Sequence, residues 1–209
     1  AGRIRRMAAK GGDKHTVFRI GEVDGSLSPR VAELASLFSL IDSTKSTTNL
    51  FGERWTKLCQ NGMRNGIAAA TGVTSGECDR NEVLRRFAIQ LGGEAVRVGQ
   101  ALGYRLEKLG ELDPERLALA SEGNAKALAE IEAIMVKRTA SNPRAGIQRP
   151  SMAQDMAKGR RTEIEFMNGL IVEKGRQVGV PTPSHAKLVD IVLRVERGEL
   201  KPSPANFNS

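Results

Sequence analysis

Lys57, Asn61 and Asn65 recur at four-residue intervals in the segment that runs from Trp55 to Asn65. On an α-helix that spacing lines up an ammonium and two carboxamides along one face, drifting by about 40° per step. Trp55, Leu58, Cys59, Gly62, Met63 and Gly66 then fall on the opposite side. An ammonium can give up a proton and stabilise a developing negative oxygen, and amides donate or accept hydrogen bonds without adding charge. Any amphipathic helix also shows a polar face to water. The residue types argue against simple solvation, because two Asn and two Gly each weaken a helix by about 0.5–1 kcal/mol relative to Ala.

Two further clusters carry polar groups. In Arg161, Thr162, Glu163, Ile164 and Glu165, Thr162 fits an N-cap, with the two carboxylates in the first turn against the positive end of the helix dipole. Ser151 follows Pro150, where a serine serves as a helix cap more often than as a ligand hydroxyl. His15 and His185 lack a Ser, Cys or Asp at triad spacing, and Cys59 and Cys78 form no C-x-x-C pair. Neither a His-based nucleophile nor a metal site is expected.

The elements that must hold these groups are mostly helical. Residues 15–22 alternate as a strand and end in Asp24-Gly25. Ser28-Pro29 starts a helix whose apolar residues are Val31, Leu34, Leu37, Phe38 and Ile41, and a second strand is expected over 45–50. Two strands and a helix need a larger sheet to join. Beyond Phe51 the spacing predicts helices over 52–70 and 77–104, a short one after Asp113-Pro114, and one over 122–139. A loop at 140–150 then leads to a short helix capped by Ser151, helices over 162–178 and 183–197, and an irregular tail from Lys201.

The 209 residues are 40% hydrophobic and 27% charged, enough to bury a core in one large or two small domains. The net charge of +8 is partly gathered at Arg3, Arg5, Arg6, Lys10 and Lys14, but only 4% of residues are aromatic, and no nucleic-acid motif accompanies the charge. Nucleic acid is therefore not an expected partner. No apolar run reaches the roughly 20 residues of a membrane span, and two unspaced cysteines suit a reducing, cytoplasmic setting. The chain opens on Ala1-Gly2-Arg3 without a Met, which is expected of a fragment.

Several ordered motifs together resemble the ketopantoate reductase (2-dehydropantoate 2-reductase) family over nearly the whole chain from Val17 onward. They are Ile20-Gly21-Glu22 with Asp24-Gly25, then W-x-K-L-x-x-N-x-x-x-N from Trp55, then Pro150-Ser151-Met152 with Asp155. The most specific is R-T-E-I-E-x-x-N-G from Arg161 to Gly169. The resemblance implies a mainly α chain. Residues 1–50 would be the strand-helix-strand end of a nucleotide-binding Rossmann domain, and 51–209 a substrate-binding and dimerisation domain of the 6-phosphogluconate-dehydrogenase C-terminal-like kind. It implies NADPH-dependent reduction of 2-ketopantoate or another branched 2-keto acid, in pantothenate and coenzyme A biosynthesis, by a homodimer. Lys57 would be the catalytic acid, Asn61, Asn65 and Ser151 would bind substrate, and Glu163 would stand at the cofactor junction and orient the lysine. The chain departs from the family at Ser75, where homologues often carry another substrate-binding Asn. It also contains no G-x-G-x-x-G, so NADPH would be held mainly by sequence outside it, and these residues alone are expected to be inactive or merely to bind substrate and dimerise.

Overall fold

Two glycines seven residues apart determine how the longest helix receives its neighbour. A Cβ built on Gly99 would lie 2.4 Å from Cδ1 of Trp55, and one on Gly92 would lie 2.8 Å from Sδ of Met63. The two notches are two turns apart on a single helix face. The indole is locked there by its Nε1, which donates to the Ala95 carbonyl at 2.9 Å.

These contacts come from a computed structural model that describes residues 16–141 and 149–208. The chain forms two compact units, 1–54 and 55–209. In the first, β1 (Phe18–Ile20), α1 (Pro29–Ser39) and β2 (Thr44–Ser46) make a parallel β-α-β piece, with Phe18 in register with Thr44 and Ile20 with Ser46. Ser28 caps α1 through the Val31 amide, with Pro29 at the first helical position. Of the helix's expected core residues only Val31 is buried; Leu34, Leu37, Phe38 and Ile41 are all exposed. Both strands are shorter than the sequence suggests, and the expected second strand gives way at Leu50 to a helix.

That helix, α2 (Leu50–Gly62), leads into the second unit, which continues with α3 (Asn65–Thr71), α4 (Ser75–Arg80), α5 (Glu82–Ala101), α6 (Pro114–Ser121) and α7 (Ala125–Ser141). Then come α8 (Ser151–Ala157), a π-helical turn at Glu165–Gly169, α9 (Leu170–Val178), α10 (Pro183–Glu196) and a 3₁₀ turn at Pro204–Phe207. Its core is continuous, from Trp55, Cys59 and Ile67 through Leu84, Leu91 and Ile131 to Ile171 and Leu188.

The structure corrects several boundaries. The expected single helix over 52–70 is two, because the chain turns at Met63 and Arg64, where the Arg64 amide bonds back to the Asn61 carbonyl at 3.1 Å. The Gly62 carbonyl, which in an unbroken helix serves residue 66, accepts instead from Nδ2 of Asn168 at 3.0 Å. The expected helix over 77–104 is also two, divided at Asn81, whose extended backbone (ψ 118°) and side chain cap α5. A π turn widens the start of the expected 162–178 helix. Most of the 140–150 loop lies outside the described residues. The tail is ordered as far as Phe207, which is buried against Phe87 with ring centroids 4.9 Å apart.

Candidate functional site

Asn61 stands in the last turn of α2 and Asn65 opens α3, so the turn between the two helices sets both carboxamides at one cleft of about 340 Å³. Ser75, at the start of α4, and Ser151, at the start of α8, complete its neutral polar lining. Ser75 is fixed by a capping box one residue earlier: the Thr74 hydroxyl accepts from the Glu77 amide at 3.3 Å, and the Glu77 carboxylate accepts from the Thr74 amide at 2.7 Å. Ser151 is the first residue of α8, with Pro150 rather than the serine in the cap position. Met63, Leu109 and Leu112 form the apolar wall, the last two joined across a tight turn by the Leu109 amide and Leu112 carbonyl at 2.9 Å. Among the described residues, neither carboxamide nor the Ser75 and Ser151 hydroxyls have a hydrogen-bond partner. Half-buried amides with open valences at a concave surface are set for a ligand that brings oxygens.

Charge reaches the cleft through Arg64 and Arg138, both of which line it. They face Asp79, whose side chain is only 2% exposed. Arg64 Nη2 donates to both oxygens of Asp79, at 2.8 and 3.1 Å, and the Thr139 hydroxyl donates to Oδ2 at 2.6 Å. Arg138 Nη2 stands 3.6 Å from the same Oδ2, close enough for an ion pair but beyond hydrogen-bond length. Two cations against one carboxylate leave the cleft electropositive. Sequence spacing gives no hint of this trio, since its members come from the α2–α3 turn, α4 and α7.

Lys57 lies on the same face of α2 one turn before Asn61, about 6 Å along the axis. Its side chain is exposed, has no partner among the described residues, and does not line the cleft. The structure therefore joins two of the three expected heads directly. The third flanks them, and the break after Gly62 corrects the expectation of a single rod. Glu163 is exposed just before the π turn, also outside the cleft, and no hydrogen bond ties its carboxylate to Lys57. The Thr162 hydroxyl accepts from the Ile164 amide at 3.4 Å, and its own amide donates to Glu196 at 2.7 Å. Asn168, given no role from the sequence, is fully buried in the π turn. Its Nδ2 bridges the Gly62 carbonyl and Nδ1 of His185, each at 3.0 Å, while Nε2 of His185 donates to the Leu91 carbonyl at 2.9 Å. Asn168 thus holds the end of α2 that presents Asn61.

Other chemistries are poorly served. Burial pushes the thiols of Cys59 and Cys78 up to about 12, which leaves them protonated and unreactive. No cluster of metal-ligating side chains occurs among the described residues. No described helix is long and apolar enough to cross a membrane. A dinucleotide pyrophosphate does not fit the N-terminus of α1, where Glu22 accepts from the Ser28 hydroxyl and from Nε of Arg30 at 2.6 Å. Those bonds, Arg30 first, hold the Glu22 carboxyl down to about 2, so a permanent anion stands where phosphate would bind.

A parallel β-α-β piece is thus followed by a helical unit that carries an electropositive, amide-lined cleft. The chain belongs to the ketopantoate reductase family: the family model "Ketopantoate reductase PanE/ApbA C terminal" matches residues 49–196. The 2-dehydropantoate 2-reductase of Archaeoglobus fulgidus is 30% identical over 180 residues, covering 86% of this chain and 52% of that protein. The crystal structure of a PanE/ApbA family ketopantoate reductase from Ralstonia eutropha JMP134 superposes with a TM-score of 0.65 at 24% identity, covering 89% of this chain and 53% of that one. D-mandelate dehydrogenase, in a ternary structure with NADH and anilino(oxo)acetate, shares the fold at a TM-score of 0.68 and 22% identity, covering 88% and 68%. The chain spans about half the length of the curated relatives it matches.

Proposed function

We propose that this chain forms the keto-acid-binding side of an NADPH-dependent 2-dehydropantoate 2-reductase, the activity for which its Archaeoglobus relative is named. The observation that carries the reading is the cleft in which Asn61, Asn65 and Ser151, without hydrogen-bond partners among the described residues, converge beside two guanidinium groups. As a hydride adds to the keto carbon, the carbonyl electron pair moves onto oxygen, and the Lys57 ammonium supplies the proton that makes it a hydroxyl. Its four-carbon stem lets the ammonium swing across the one turn to Asn61. The two carboxamides and the Ser151 hydroxyl hold the hydroxyl and carboxylate oxygens of the substrate. Glu163 belongs at the junction with the cofactor, where it accepts a hydrogen bond from a hydroxyl. The Glu22 carboxylate disfavours a pyrophosphate at the N-terminus of α1, which supports assigning the described residues the keto acid and the proton.

The exposed Leu34, Leu37, Phe38 and Ile41 support assigning residues 1–50 to a larger nucleotide-binding sheet domain that covers them. Residues 51–209 are then the substrate domain, and Phe166, 75% exposed, offers an apolar anchor for a homodimer. Two free, buried cysteines support a reducing cytoplasm. A second reading, reduction of a different branched 2-keto acid, is favoured by Ser75, which gives the cleft a short hydroxyl where the resemblance implies a carboxamide.

Steady-state NADPH consumption by the full-length protein tests the proposal. Lys57→Ala should lower kcat for 2-ketopantoate roughly 100-fold, with KM little changed. An unchanged kcat removes Lys57 from the chemistry, and a wild type that reduces no branched 2-keto acid overturns the assignment.

A further inference from the structure

Arg138 is the cation of the cleft that has no hydrogen-bonded acceptor among the described residues. Oδ2 of Asp79, the oxygen nearest Arg138, already accepts from Thr139 and Arg64, so both of its acceptor sites are taken while it balances Arg138 in charge. Nη2 of Arg138 is buried without a hydrogen-bond partner, and among the described residues the guanidinium makes no hydrogen bond at all. A buried N–H of a cation left without an acceptor is costly, and a ligand that supplies the acceptor recovers that cost. The group faces a cavity whose other polar lining is neutral, apart from Arg64, which is committed to Asp79. One positive charge is left over, which calls for a monoanion, and a planar fork of N–H donors matches a carboxylate. The apolar wall of Met63, Leu109 and Leu112 suits a branched alkyl group attached to that carboxylate.

We propose that Arg138 is a specificity-determining residue that forks the carboxylate of the bound 2-keto acid, and thereby selects acids over their neutral amides and lactones. The inference rests on the reductase reading for the identity of the ligand but not for the existence of the anion site. Asn61, Asn65 and Ser151 then serve the oxygens nearer the keto group, and Asp79 with Arg64 and Thr139 forms the fixed support against which Arg138 is oriented. Arg64 differs from Arg138 in that its Nη2 already makes two bonds to Asp79, which fix that guanidinium against the carboxylate.

Calorimetric titration of the full-length protein with 2-ketopantoate and with its neutral amide tests the site without turnover, and NADPH-consumption kinetics with the same pair test its use. Arg138→Gln should weaken binding of the acid roughly 10–100-fold, the scale of a lost charge-assisted hydrogen bond, and raise its KM to match. Binding of the amide should change less than threefold, so the preference for acid collapses. Arg138→Lys keeps the charge and loses the fork, and should recover part of the acid affinity. A variant that only loosened the fold would weaken acid and amide alike, and that result overturns the proposal. So does a wild type that binds acid and amide equally, or one that binds neither. A wild type that binds the acid through Arg138 yet reduces no keto acid leaves the anion site standing and removes the reductase reading alone.

Discussion

Ser75 lines the cleft where the resemblance to the family implies a carboxamide. Its hydroxyl can make one donated bond with a short reach, whereas a carboxamide offers two donors and an acceptor further into the cavity. A serine there leaves room at the apolar end and gives up a polar contact to the substrate. Selectivity built on one hydrogen bond is large when the site's partner group is left unpaired, and small when only space changes. Ser75→Asn keeps the capping box intact, since the cap is Thr74 and its partner is Glu77. The substitution should lower KM for 2-ketopantoate about three- to tenfold and raise it for 2-keto acids with longer side chains, read from kcat/KM across a substrate series. Equal effects on every substrate would mean that residue 75 does not contact the ligand.

At the scale of elements, site geometry comes from breaks and notches more than from the helices themselves. Gly99 and Gly66 both sit in tight contacts, but what faces them differs. At Gly99 a Cβ would meet the indole ring of Trp55 at 2.4 Å, a rigid group pinned by its bond to Ala95. At Gly66 it would meet Cδ2 of Leu188 at 2.8 Å and Cδ1 of Ile164 at 3.0 Å, both ends of flexible chains. Replacing helical Gly by Ala gains about 1 kcal/mol from propensity, against an overpacking cost of about 1–3 kcal/mol. Gly66→Ala should therefore be near neutral and Gly99→Ala clearly destabilising, by about 1–2 kcal/mol net, measured from urea midpoints. The 3.6-residue apolar pattern made most helices legible in the sequence, as did the capping signals at Ser28 and Asp113. The break after Gly62 was not legible, because its cause is the Asn168 amide, 106 residues away. Asn61, Asn65 and Ser151 could be picked out by resemblance and do share a cleft, whereas Arg138 could not. A single arginine in the last turn of a helix reads as a dipole complement until a distant aspartate shows what it faces.

For the molecule as a whole, the most consequential titrating group is His185, which ties α10 to α5 through Leu91 and to the α2–α3 turn through Asn168. Burial is the main cause that lowers its pKa from 6.5 to about 4, with the bond to Leu91 opposing it. In the unfolded chain the imidazole regains its ordinary value, so between pH 6.5 and 4 the unfolded state binds the proton more strongly. Stability from this group is fully present above pH 6.5 and falls as the pH drops towards 4. Going from pH 7.5 to 5 should remove about 2 kcal/mol of unfolding free energy. The carboxylates Glu22, Asp24, Glu77, Glu115, Glu122 and Glu199 have lowered values, so their contribution is lost at more acidic pH. Glu94, which accepts from the Ser184 and His185 amides, is raised by burial and so gains stability as the pH falls, opposing part of the His185 loss; the comparison of wild type with His185→Gln isolates the imidazole. His185→Gln replaces the imidazole with a neutral amide that can still donate to Leu91, and should flatten the stability profile between pH 7.5 and 5 even though its stability at pH 7.5 is lower. Urea unfolding of wild type and variant across that range is the measurement, and a wild-type midpoint that does not move between those two pH values would show that the buried imidazole does not control acid stability.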